Sequence, residues 1–419
     1  MSLYSFHEYS GTYMEIMNPY QVAHQFGLKT LEKTEEYKGS RISMKIGLPK
    51  ERSKDEQRLA VTPGGVADLK ASGHEIHIEA GAGEDARFTD REYSEAGATI
   101  AWSTEELYKK SEIILKVAPP DESEHELLQP DQTVISALHL GNTTEGYLKE
   151  LIRKNITGIG FEFIKSPDNS FPIVRMMHEI TGSMSVQIAA HYLENNQQGH
   201  GILLGGISGV PPATVVILGA GIIAEYAART ALGYGAQVFV MDTDLAQLRH
   251  LENSLDRRII TAMATHQFIS SALKVADVVI GAAMVEGHRS PCWVTRSMVQ
   301  TMKDGSVIVD AVIDQGGCIE TSRATSHSDP VYMENGVLHY CVPNIPSNVA
   351  RTATIALNNL LVPFLLDIGD AGGLREALWT NVSLRNGTYV YKNQLTKKSL
   401  AQLFDMPYRD IEMLIASRI

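Results

Sequence analysis

The chain has 419 residues, with 37 Lys and Arg against 49 Asp and Glu and a formal net charge of −12 at pH 7. At roughly 150 residues per domain, that length argues for two or three folding units, each large enough for its own core. The acidic balance argues against a nucleic-acid binder, which needs a basic stripe, and 44% hydrophobic with 21% charged residues excludes wholesale disorder.

The first 28 residues carry no Lys or Arg and no long apolar run, so neither a secretory signal nor a basic transit peptide is expected. Residues 1–43 are Tyr- and Glu-rich with weak periodicity and read as an N-terminal extension. Three cysteines, Cys292, Cys318 and Cys341, cannot staple a chain of this length and fit a reducing, cytoplasmic compartment.

From Met44 the pattern becomes a regular strand–helix alternation. Met44–Leu48 is a predicted strand; Thr62-Pro63 opens a helix with a capping hydroxyl and Pro at the first position, and Gly73 closes it. Strands are expected at 74–79, 112–117, 133–140 and 158–164, with helices at 104–110 and 144–155 between them. A long helix over 179–196 follows, and the rhythm restarts: strands at 215–218, 237–241, 276–280, 306–309 and 336–342, with helices at 222–235 and 244–255. The segment 347–368 reads as a long apolar helix kinked at Pro363, and 374–419 as helices with a short hairpin. Such alternation builds parallel sheets covered by helices. The expected fold is α/β: two doubly wound Rossmann-like domains with a cleft between them, plus the extension. Residues 44–172 and 351–419 form the first domain, and 173–350 the second, inserted before the chain returns.

Gly201 to Ala224 has no formal charge, yet six glycines and Pro211-Pro212 forbid a spanning helix there. Its end holds the most informative motif, Val215-Val216-Ile217-Leu218-Gly219-Ala220-Gly221-Ile222-Ile223-Ala224. Gly-x-Gly-x-x-Ala at a strand-to-helix turn is a dinucleotide fingerprint: Gly219 permits the turn, Gly221 admits a pyrophosphate, and Ala224 keeps helix and strand close. Asp242 ends the next strand 21 residues after Gly221. A carboxylate there accepts from the adenosine ribose hydroxyls and repels a 2′-phosphate, which favours NAD over NADP.

Candidate chemistry lies at strand ends, where ligands bind in open α/β sheets. Arg58 precedes a helix start and can clamp a carboxylate; on its own it reads better as part of a solvated charge cluster. Lys116 closes Ile113-Ile114-Leu115, where an isolated Lys is about as often a snorkelling surface residue. His139 occupies the same place in Val134–Gly141 as the side chain suited to proton transfer near neutrality, or as a satisfied core residue. Asp310 and Asp314 flank a buried strand end before Gly316-Gly317. Asp314 is the preferred functional residue, with Asp310 as an alternative stabiliser of the turn.

Taken in order, Ile46–Glu51, Arg58–Pro63, Leu115–Val117, Leu138–Leu140, Gly205–Val210, Gly219–Gly221 and Ile313–Cys318 resemble the alanine dehydrogenase and transhydrogenase family, over about Met44 to Ile368. The resemblance implies reversible oxidative deamination of L-alanine to pyruvate and ammonium with NAD. Arg58 and Lys116 would then bind the carboxylate and carbonyl of pyruvate, His139 would transfer the proton, and Asp314 would be the second acidic partner. Gly219, Gly221 and Asp242 would hold NAD, with Asn344 in the loop Val342–Pro346 beside the nicotinamide. The resemblance also implies a homo-oligomer, commonly a hexamer, with no nucleic-acid or membrane partner.

The chain departs from the family pattern at Met177-His178-Glu179, where Ser usually stands in place of His178 near the cofactor phosphates, at Ala224 in place of Gly, and at Ala246-Gln247, where a Lys is common. Two other readings share the scaffold: a transhydrogenase-type NAD-binding subunit, and a non-catalytic NAD-binding protein. Arg58, Lys116, His139 and Asp314 occurring together favour an enzyme, since a sensor needs no proton shuttle.

Overall fold

The computed structural model describes residues 41–139, 143–285 and 288–416, so almost all of the expected extension over 1–43 lies outside the described residues. Six short apolar strands build the first sheet: β1 (Lys45–Leu48), β2 (Glu75–Glu79), β3 (Thr99–Ala101), β4 (Ile113–Leu115), β5 (Thr133–Ser136) and β6 (Thr157–Gly160). Seven build the second: β7 (Thr214–Leu218), β8 (Gln237–Asp242), β9 (Ile260–Met263), β10 (Val278–Gly281), β11 (Val307–Asp310), β12 (Val331–Glu334) and β13 (Val337–Tyr340). The chain then returns to the first sheet with the hairpin β14 (Thr388–Tyr391) and β15 (Gln394–Leu395), β14 pairing antiparallel with β6.

The strand orders are β15-β14-β6-β5-β4-β1-β2-β3 and β12-β13-β11-β10-β7-β8-β9. Each contains the doubly wound order in which the first strand sits between the second and the fourth. The order reverses at β1/β4 in one sheet and at β7/β10 in the other, and a crevice opens beyond the carboxyl ends of the strands at such a point. The hairpin β14–β15 is the one expected within 374–419, whereas the antiparallel edge strand β12 and the short strands β3 and β9 were not expected. Edge and three-residue strands carry too little alternation to stand out.

Four helices position the site. In α1 (Pro63–Ala71) the Thr62 hydroxyl accepts from the Gly65 N–H at 3.2 Å, and Pro63 stands where no N–H is needed. The long helix α2 (Pro172–Tyr192) begins seven residues before its expected start, because Pro172 is again a favourable first residue. Helix α3 (Ile222–Tyr234) follows the glycine turn and ends at Gly235 in the left-handed region. Helix α4 (Ala350–Asp370) contains Pro363, the position expected to kink it.

Packing divides the sheets into two lobes. One core draws its side chains from Val186 to Ile345 around the second sheet. The first sheet is covered on its two faces by cores running from Met44 to Ile173 and again from Ala350 to Ile415. Helix α2 crosses between them, with Ile173 in the first core and Val186, Ile188 and Ala189 in the second. It lies backbone-close against α3: a Cβ on Gly182 would stand 2.3 Å from the Ile223 carbonyl oxygen, so only glycine fits. Helix α4, with the turn before it, is long and apolar enough to cross a membrane by length and composition. Its Leu357, Leu361, Leu365 and Ile368 are core residues, and Asn358 accepts from the Thr62 N–H and hydroxyl at 3.0 Å, as befits a core helix.

Candidate active site

The glycine turn lies at the second sheet's reversal point. Gly219 has φ +113°, and a Cβ there would meet the Ala282 carbonyl oxygen, just beyond β10, at 2.5 Å. Gly221 is its complement: a Cβ there would meet nothing within 4 Å, so the backbone is open on the side a ligand would approach. Gly221 is the N-cap of α3, and no side chain caps the helix, which leaves its first N–H groups for an anion. Ala224 is fully buried where α3 meets the sheet. Asp242 ends β8, and its carboxylate accepts from the Ala220 N–H at 2.7 Å and the Asp244 N–H at 2.8 Å, which aims it along the turn. A turn, an uncapped helix and an oriented carboxylate fit a dinucleotide.

His178 projects from α2 and is partly enclosed. Burial lowers its imidazole to about 4, so at neutral pH it is uncharged and can offer a phosphate a hydrogen bond, not a charge.

A buried charge cluster gathers at the reversal point of the first sheet. Lys116 lies one residue past β4; its ammonium donates to both oxygens of Glu124 at 2.8 Å and sits 3.6 Å from Glu51 Oε2. All three side chains are at most 5% exposed. Burial works against the Lys116 charge, but Glu51 and Glu124 outweigh it and raise its pKa. Glu124 is held further by the Tyr108 hydroxyl at 3.0 Å and the Asp121 N–H at 3.0 Å.

Arg58 is buried beside it, paired with Glu56 and with Nη1 3.2 Å from the Met177 sulfur. Glu56 takes the Nε edge of the guanidinium, which leaves the Nη1 end for a ligand carboxylate. Asn344, in the left-handed region after β13, donates from its side-chain amide to Glu56 Oε2 at 3.0 Å and the Asp55 carbonyl at 3.1 Å. It thereby ties the second lobe to the loop carrying Arg58.

His139 does not continue β5. That strand ends at Ser136, and His139 adopts φ +54° with an exposed side chain. Glu162, in the turn after β6, fixes this loop by accepting from the His139 N–H at 2.7 Å and the Leu138 N–H at 2.8 Å. Asp314 lies in the turn Ile313–Gln315 after β11, within electrostatic reach of His139. Although solvent reaches it, surrounding protein raises its carboxyl by desolvation, partly offset by backbone hydrogen bonds and by the positive charge His139 can carry. Asp310, by contrast, accepts from the Cys318 N–H at 3.2 Å and is wholly buried, holding the Gly316-Gly317 turn.

Arg58, Lys116 and His139 belong to the first lobe, and Asp314, Asn344 and the glycine turn to the second; Asn344 meets Glu56 and His139 acts electrostatically on Asp314 across the two. Glu51, Glu56, Glu124 and Glu162 were not expected. Glu51 and Glu56 sit in a loop, Glu124 in the short helix Glu122–His125 and Glu162 in the turn Phe161–Phe163; the sequence shows only polar residues there, and their roles arise from residues they meet across the fold. The described residues contain no cluster of acidic, His and Cys side chains suited to a metal ion.

The family "Alanine dehydrogenase/PNT, N-terminal domain" matches residues 47–181, and "Alanine dehydrogenase/PNT, C-terminal domain" matches residues 185–398. An alanine dehydrogenase of Methanococcus maripaludis is 41% identical over 370 residues, 88% of this chain and 99% of the relative. One from Halomonas elongata is 40% identical over 372 residues, 89% of this chain and 100% of the relative. Among solved structures, an L-alanine dehydrogenase superposes with a TM-score of 0.82 at 40% identity, covering 86% of this chain and 99% of that one. A transhydrogenase from Sinorhizobium meliloti follows at 0.72 and 26% identity, covering 85% of this chain and 99% of that one. With both domain families matched in order along most of its length, the chain belongs to the alanine dehydrogenase/PNT family.

Proposed function

We propose that the chain is an NAD-dependent L-alanine dehydrogenase that converts L-alanine and water reversibly to pyruvate and ammonium. The observation that carries this reading is the buried two-cation cluster, Arg58 and Lys116, on one lobe, together with Asp314 on the other, close enough for His139 to act on it electrostatically. In this reading, residues 44–172 and 351–419 bind substrate and 173–350 bind the dinucleotide.

Gly219, Gly221 and the N-terminus of α3 hold the pyrophosphate. Asp242 accepts from the ribose hydroxyls and would repel a 2′-phosphate, which selects NAD. Ala224 keeps α3 on the sheet, and neutral His178 and Asn344 line the cofactor's side of the cleft. When bound, the nicotinamide accepts a hydride from the substrate Cα.

The protein supplies orientation and proton transfer. The Nη1 end of Arg58 and the free N–H of Lys116 take the substrate carboxylate, fixing Cα toward the second lobe. His139 accepts the proton that leaves the substrate ammonium and passes it to solvent; returned to its neutral form, it accepts a second proton from the water that attacks the iminium carbon. Asp314 faces the developing cation and stabilises it. Exposure of His139 suits a group that must exchange protons with solvent. The protein would act in the cytoplasm as a homo-oligomer, with a hexamer expected from the family.

The experiment is spectrophotometric: NADH formation from L-alanine at mildly alkaline pH. Turnover with alanine is expected. Tight NADH binding without turnover of alanine or any small amino acid would leave the transhydrogenase-type or non-catalytic reading in its place.

A further inference from the structure

Two cations and three carboxylates share the buried cluster: Arg58 and Lys116 against Glu51, Glu56 and Glu124. With all five ionised the cluster is already negative by one charge. A carboxylate ligand would bring a second negative charge into a site from which water is excluded, at a cost several times that of a surface ion. The cluster needs one more positive charge, or one fewer negative.

The hydrogen bonds identify which carboxyl can change. Glu124 accepts from Lys116, from the Tyr108 hydroxyl and from the Asp121 N–H, with donors on both oxygens. Glu56 accepts from the Arg58 N–H and Nε on Oε1, and from Arg58 Nη2 and Asn344 on Oε2. Glu51 differs. Its Oε1 accepts from the Val117 N–H at 2.7 Å, but its buried Oε2 has no hydrogen-bond donor. The nearest cation is Lys116 Nζ at 3.6 Å, which already serves both oxygens of Glu124. The third N–H of Lys116 is what Glu51 and an incoming substrate oxygen would compete for.

We propose that Glu51 is a charge-compensating residue of the substrate site, taking up a proton on Oε2 when a carboxylate ligand engages Lys116 and Arg58. The proton comes from solvent, the Glu51 carboxylate becomes a neutral carboxylic acid, and no other bond changes. Six groups surround it: Lys116 and Arg58 favour its charged form, Glu56 and Glu124 oppose it, and Tyr108 and Asp121 act through their contacts with Glu124 and Lys116. Burial is the largest influence and Lys116 only partly offsets it, which raises the Glu51 carboxyl to about 7 in the free chain. A bound anion that also occupies Lys116 raises it further. Glu51 does not touch the substrate; it acts by positioning Lys116 and balancing charge.

The inference rests on the substrate site proposed above, and calorimetry separates the two. Pyruvate is titrated into the full chain saturated with NADH, with ammonium absent so that no turnover occurs, in buffers of different ionisation enthalpy. If Glu51 is the acceptor, the wild type takes up about half a proton or more per pyruvate between about pH 7 and 8, falling toward zero near pH 5, where Glu51 is already protonated. Glu51→Gln binds pyruvate with no proton uptake in that range, while His139→Asn retains it. Uptake that persists in Glu51→Gln, or none in the wild type, overturns the inference. Absence of any pyruvate binding overturns the substrate site instead. Should Glu51→Gln fail to fold, infrared difference spectra of the wild type decide. With isotope-labelled pyruvate, a new protonated-carboxyl band on binding is expected, and its absence overturns the proposal.

Discussion

Glu56 grips Arg58 through two parallel hydrogen bonds, Nε to Oε1 at 2.7 Å and Nη2 to Oε2 at 2.6 Å, with neither side chain more than 6% exposed. Bidentate geometry of this kind fixes the plane of the guanidinium, so the end left for a ligand points one way. Burial alone would push the Glu56 carboxyl up, but the Arg58 charge and its hydrogen bonds outweigh it and hold the carboxyl below its ordinary value. A depressed carboxylate contributes stability above its unfolded pKa and loses it as pH falls through the folded one. Glu56→Gln strands the Arg58 charge and should cost about 3–5 kcal/mol of stability, measured by urea unfolding at neutral pH. The gap from wild type should narrow as pH falls below the ordinary Glu value of about 4.5 toward the depressed folded one, as protonation removes the wild-type pair. A gap that stays constant with pH would mean the pair is not the source of the loss.

His139 can be separated from its loop. Because it sits at φ +54°, Asn is the better probe than Ala, being enriched in the left-handed region. Its backbone N–H would still reach Glu162. His139→Asn should fold like the wild type, bind NADH nearly as tightly, and lose roughly 10²–10⁴ in kcat. Equal loss of NADH binding and turnover would make the residue structural.

The two fingerprint glycines should fail in opposite ways. Gly219→Ala forces a side chain into φ +113° against the Ala282 carbonyl and should lower thermal stability by about 1–3 kcal/mol. Gly221→Ala meets open space and should leave stability within about 0.5 kcal/mol of wild type. Its methyl would instead stand where the pyrophosphate approaches, so NADH affinity should fall clearly. Unchanged NADH binding in Gly221→Ala would place the phosphates elsewhere.

Legibility in the sequence followed the range of the interaction. The glycine turn, Asp242 and the caps of α1 and α3 depend on neighbours within a few residues, or on one strand–helix–strand unit, so their pattern is visible in one dimension. The two-lobe α/β architecture was legible for the same reason. The partners of the site cations were not. Glu124 reaches Lys116 from eight residues on, Asn344 reaches Glu56 across 288, and Glu162 reaches His139 across 23. A polar residue in a loop looks the same whether it is solvated or buried against a cation. Lys116 could be singled out by its position at a strand end and Arg58 by its place just before a helix start, but nothing local shows that each is already paired.

Asp242 sets the final expectation, on cofactor choice. Its oxygens are oriented by the Ala220 and Asp244 N–H groups at 2.7 and 2.8 Å, so the carboxylate is fixed before any ligand arrives. A preorganised charge discriminates more sharply than a mobile one, because it cannot turn away from a 2′-phosphate. The first helical turn beyond it, Leu245-Ala246-Gln247, carries no cation that could offset the repulsion. Asp242→Ser removes the charge and keeps a short acceptor for the Ala220 N–H. NADH affinity should fall by roughly 1–2 kcal/mol as the ribose contacts weaken, while NADPH affinity rises or holds. Fluorescence titration with both cofactors reads the ratio directly. A NADH-to-NADPH preference unchanged in Asp242→Ser would show that discrimination comes from another part of the site.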